Sequence, residues 1–62
     1  MKEIIKKNKK YLSLYRGKFV AFDITTGELV RWDNTAIKIL ERITKYESNP
    51  QNFFIYGVPL VV

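Results

Sequence analysis

At 62 residues, 47% apolar and 27% charged, with no cysteine and no histidine, the chain has the size of one domain and lacks disulfides, thiolate or imidazole metal ligands and the commonest general bases. A domain this short buries about 60% of the surface its unfolded chain exposes. Oligomerisation, docking on a partner or an unusually well-packed core therefore has to supply what disulfides and metals do not. The net charge of +5 is uneven: residues 1–18 carry seven basic side chains against Glu3 alone, while the remainder carries four basic and five acidic ones. Such asymmetry marks contact with an acidic partner. No apolar run reaches the eighteen or so residues of a membrane span, and MKEIIKKNKK has no apolar stretch of the kind a signal peptide needs. A soluble, cytoplasmic protein without membrane contact is expected.

From Lys2 to Tyr15, Ile4, Ile5, Asn8, Tyr11, Leu12 and Tyr15 fall on one stripe at helical spacing, with lysines around the rest. That pattern predicts an amphipathic helix over 3–15, with Tyr11 and Tyr15 in the core and Gly17 where a C-terminal glycine belongs. Phe19–Ile24, then Thr25-Thr26-Gly27, then Leu29–Trp32 predict a β-hairpin. Both faces of its first strand are apolar. Asp33-Asn34-Thr35 offers three N-cap residue types before a periodic run, which predicts a second helix over 35–47 with Leu40 and Ile43 buried against the hairpin. Ser48–Asn52 is a turn cluster containing Pro50, and Phe53–Val58 predicts a third strand, stopped by Pro59.

The order α-β-β-α-β gives a single α+β domain with a three-stranded sheet in order 2-1-3. With both helices packed on one face, the other face would be left uncovered. Val20, Phe22, Phe54 and Tyr56 are the expected outer set. Phe19, Ala21, Phe53 and Ile55 would then lie under the helices, because the small Ala21 admits a close helix.

KFVAF, WDNTAIKILERI and FFIYGVP together resemble a family of small prokaryotic domains of unknown function. Its frame is a helix, Gly-Lys-(Phe/Trp/Tyr)-Val-Ala, a hairpin, a Gly-Asp-Ser/Thr-capped helix and a final strand ending Val-Pro. The matching positions are Gly17 to Ala21, Asn34 and Thr35, and Val58 and Pro59. Asp33 stands where that family has glycine, and Ile37 and Lys38 where it has acidic residues. The resemblance implies the fold and no activity. A shorter likeness, confined to the capped helix and hairpin, runs to HicB-type antitoxins, which bind protein partners.

Chemistry-bearing residues are sparse. Asp23 and Glu28 face each other near the hairpin tip, where a hard-metal or paired-carboxylate site is conceivable. Solvated turn-flanking acids are the plainer reading. Gly17, Gly27 and Gly57 are isolated and form no phosphate loop, and neither serine has a base to activate it. No catalytic residue, cofactor or metal is expected. The expected function is a non-catalytic interaction module, homodimeric through its sheet with Val20, Phe22, Phe54 and Tyr56 at the interface, and binding a protein partner in an antitoxin- or adaptor-like role. The alternative is a small basic nucleic-acid-binding protein using Lys2, Lys6, Lys9 and Lys10, against the plainer reading of a solvated helix face.

Overall fold

The computed structural model describes residues 2–61, with the side chain of Lys2 outside the described residues. It has the expected α+β architecture: α1 (Lys2–Lys7), α2 (Lys9–Leu12), β1 (Phe19–Asp23), β2 (Leu29–Asp33), α3 (Ala36–Tyr46) and β3 (Phe53–Gly57). Short 3-10 turns follow α2 and precede β3. The sheet is antiparallel at both seams, in order β2-β1-β3.

Local chemistry accounts for the boundaries. The predicted first helix is interrupted at Asn8. There the side-chain amide donates to the carbonyls of Ile4 and Gly27, both at 2.8 Å, and fastens the helix to the hairpin. Gly17 takes φ +75° after the 3-10 turn, and its N–H donates to the Val58 carbonyl at 3.0 Å. Of the three N-cap candidates before α3, Thr35 caps, its hydroxyl accepting from the Lys38 N–H at 3.2 Å. Asp33 instead turns inward at 8% exposure and pairs with Arg42 at 3.1 Å.

The layering differs from expectation. The two helical units lie on opposite faces of the sheet, not on one. Leu12 packs with Val20, Phe22 and Val58, joined by Ile4, Ile5, Tyr15, Leu29, Phe54 and Tyr56. Ile39 and Ile43 of α3 pack with Ala21 on the other face, joined by Phe19, Phe53 and Ile55. Alternation along a strand puts the two sets on opposite sides, so 62 residues make three thin layers. The set expected under a helix, Phe19, Ala21, Phe53 and Ile55, is under α3. The set expected to be uncovered lies beneath α1 and α2. Both faces of β1 are apolar because each has its own cover: Val20, Ala21 and Phe22 have no exposed surface.

Leu40 is a second correction, since it is exposed while Ile39 and Ile43 are the buried residues of α3. The helix meets the sheet along the line through Ile39 and Ile43, and Leu40 lies about 100° around the axis from Ile39. Ile43→Ala should therefore cost about 2–5 kcal/mol, as large-to-small changes in a packed core do. Leu40→Ala should stay within about 0.5 kcal/mol. Urea midpoints of the two variants check the assignment, and equal losses would contradict it.

Candidate functional site

Two surfaces stand out, one at each edge of the sheet.

The first is the free edge of β3. Val58 N–H donates to the Lys18 carbonyl at 2.8 Å and Ile24 N–H to that of Asn52 at 2.9 Å. With the observed register, hydrogen-bonded pairs alternate as Lys18/Val58, Val20/Tyr56, Phe22/Phe54 and Ile24/Asn52. The backbone groups of Phe53, Ile55 and Gly57 consequently point away from β1. The strand, FFIYG, carries no charge and no proline, and its pairing with β1 is free of register shifts. Its four large side chains are only partly buried, Phe54 and Tyr56 on one face and Phe53 and Ile55 on the other. Of the expected interface residues, Val20 and Phe22 are thus enclosed in the core and present no surface. Phe54 and Tyr56 remain partly accessible at this edge.

The other edge is guarded. β2 carries a register shift opposite Ala21 and Phe22, and two of its five residues, Arg31 and Asp33, are charged. Arg31 pairs with Glu47 at 2.7 Å and lies 5.2 Å from the Tyr46 ring, and Asp33 holds Arg42. These contacts place Arg42 and Tyr46 on the β2 side of α3. By helical geometry, the flank bearing Ala36 and Leu40 faces the β3 side.

Alongside β2 runs the second surface, a groove of about 380 Å³ between this strand and the N-terminal helices. Asn8, bonded to Gly27, anchors one end, and Tyr15, 5.8 Å from Trp32, closes the other. Tyr11 stands between them at 59% exposure and Trp32 is 45% exposed. The expectation of Tyr11 in the core is therefore overturned: Leu12 takes the buried position, and Tyr11 sits at the margin of the apolar stripe. Lys7 and Glu28 also line the groove. Lys18 lies 5.2 Å from the centre of the Trp32 ring. Lys6, Lys9 and Lys10 are exposed, whereas the Lys2 side chain lies outside the described residues. Sequence reasoning missed this groove because helical spacing cannot say on which margin of the stripe a tyrosine falls.

Asp23 does not form a paired-carboxylate site with Glu28. Its Oδ1 accepts from the N–H groups of Thr25 and Thr26 and from the Asn52 side chain, so it builds the hairpin turn. No cluster of three or more candidate metal ligands occurs among the described residues. No helix among them is long and apolar enough to cross a membrane. Comparison with protein-family models, with curated proteins and with solved structures finds no match.

Because Asn8 is buried and donates to two carbonyls, Asn8→Ala should destabilise the domain by about 1–3 kcal/mol. Asn8→Asp should cost more, since a carboxylate would face the same carbonyls. Denaturant unfolding of both variants gives the order, and a harmless aspartate would contradict this anchoring.

Proposed function

We propose that the protein is a non-catalytic interaction module that pairs with a second copy of itself through the free edge of β3. One observation carries the reading: β3 is an edge strand with none of the usual protections. Native sheets blunt exposed edges with charge, proline, bulges or a covering element. β2 has a bulge and charges, and β3 has neither. Antiparallel addition of a second β3 about a two-fold axis at Ile55 would set Ile55 opposite its own copy, Phe54 opposite Tyr56 and Phe53 opposite Gly57, so that each contact is made twice, as a self-complementary interface requires. The two Ile55 side chains would meet on one face, and the Phe54–Tyr56 pairs would line the other. Leu40, exposed on the β3 side of α3, would extend the contact. The result would be a continuous six-stranded sheet with an apolar seam.

A five-residue strand pair with flanking side chains belongs at the low end of stable interfaces, near about 1,200 Å² in total, so association should depend on concentration. The alternative partner, another protein adding a strand at the same edge, uses the same backbone groups. It would serve an antitoxin- or adaptor-like role, and partner binding is what the shorter likeness to HicB-type antitoxins implies. A reducing cytoplasm suits a chain without cysteine.

Sedimentation velocity over about 5–500 µM should show a reversible shift from monomer to dimer, as mass action requires. Phe53→Lys places a charge on the edge and should keep the protein monomeric throughout. Chemical synthesis with N-methylated Ile55 removes an outward N–H while sparing the bonds to β1, and should do the same. Circular dichroism reports whether each variant is folded. A wild type that stays monomeric over this range would overturn the reading, as would folded variants that dimerise like it.

A further inference from the structure

We propose that the groove between the N-terminal helices and β2 binds single-stranded nucleic acid, with bases against Tyr11 and Trp32 and phosphates along the flanking lysines. The site is independent of the β3 edge and lies on the opposite side of the sheet.

Three features converge there. Tyr11 on the groove wall is 59% exposed, and Trp32, packed against Tyr15 just beyond the groove's end, is 45% exposed. Exposed tyrosine and tryptophan faces are stacking platforms for unpaired bases. Lys7 lines the groove beside Asn8, and Lys18 lies beyond its other end at the Trp32 ring, where it also donates to the Asn34 side chain at 2.8 Å. Charge then selects the ligand. Residues 1–18 hold a net +6, whereas the ion pairs among the described residues are Arg31–Glu47 and Arg42–Asp33. Neither pair involves an N-terminal lysine, and Lys6, Lys9 and Lys10 are exposed on α1 and α2. Glu28, also on the wall, opposes an anion and is the natural control. A duplex keeps its bases stacked inside and gives Tyr11 nothing to stack on, so the aromatic surface favours a single strand.

Trp32 is the sole tryptophan of the chain, so its emission reports on the end of the groove, where it packs against Tyr15. Titrating the wild-type protein with a short oligothymidylate should quench Trp32. The affinity should fall with salt between about 50 and 200 mM, at a slope near −0.7 per phosphate neutralised. Tyr11→Ala should weaken binding about tenfold, the scale of one lost stacking contact, and Lys7→Gln should flatten the salt dependence. Glu28→Gln should tighten binding. All three positions are on the groove wall rather than in the packed core, and circular dichroism checks that the variants stay folded. The proposal is overturned if the oligonucleotide leaves Trp32 emission unchanged at the lowest salt. It is equally overturned if Tyr11→Ala binds like wild type, or if an equal-length duplex or an oligoglutamate quenches as strongly.

Discussion

The domain depends on one strand being buried on both faces. β1 sits between β2 and β3, so its backbone groups are taken up on both sides, and Val20, Ala21 and Phe22 in succession have no exposed surface. A strand in that position needs two covers, one for each parity of its side chains. Val20 and Phe22 require something to fill space above them, and Leu12 with Ile4 and Ile5 does so from the N-terminal helices. Ala21 leaves room on the opposite face, and α3 comes down there with Ile39 and Ile43. A chain of this length usually manages two layers and a marginal core. Here the core is split into two thin halves that share β1, and the missing disulfide or metal is replaced by burying the same strand twice.

That arrangement explains what was legible beforehand. Each helix and strand announces itself through period and punctuation: Gly17 after the first helix, Thr25-Thr26-Gly27 between the strands, Thr35 before α3, Pro59 after β3. Sheet order followed because the most apolar strand belongs in the centre. The layering was not legible. Periodicity says which residues share a face, but not which other element covers that face. A strand apolar on both sides is equally consistent with one helix layer and an open surface, or with a layer on each side. The same limit explains Leu40 and Tyr11. Both lie at the margin of an apolar stripe, and a rotation of less than half a helical turn separates core from solvent there. The interruption at Asn8 had no sequence signal of its own, since it arises from a hydrogen bond to Gly27, a residue on another element.

The two edges of the sheet inherit opposite characters from this economy. Nearly all the apolar side chains that can reach β1 are used to enclose it, and neither cover extends fully over the flanking strands. On β2, charged residues fill the gap: Arg31 and Asp33 pair with Glu47 and Arg42 of the α3 segment. On β3 no charge is available, and its aromatic and aliphatic side chains stay partly open on both faces. α3 thus reaches both edge strands, β2 through these ion pairs and β3 through Phe53 and Ile55. The edges differ in the chemistry of their side chains, charged on one and uncharged on the other.

Charge is divided by the same contacts. Two of the five carboxylates outside the N-terminal segment, Asp33 and Glu47, are spent on arginines of the α3 side of the sheet. Asp23 is spent on the hairpin turn and on Asn52. Glu28 is the one acid that lines the groove, and Asp23 lies in the hairpin turn where Lys7 donates to the Thr26 carbonyl at 3.3 Å. Positive potential is thus concentrated on the face where Tyr11 and Trp32 are exposed, and apolar surface without charge is concentrated on the opposite edge. A polyanion and a second copy of the chain would be drawn to different sides of one sheet, so neither contact obstructs the other. Self-association at β3 would place two such grooves on the outer margins of a single continuous sheet, and a strand of nucleic acid long enough to reach both would be held with the added strength that two linked sites provide.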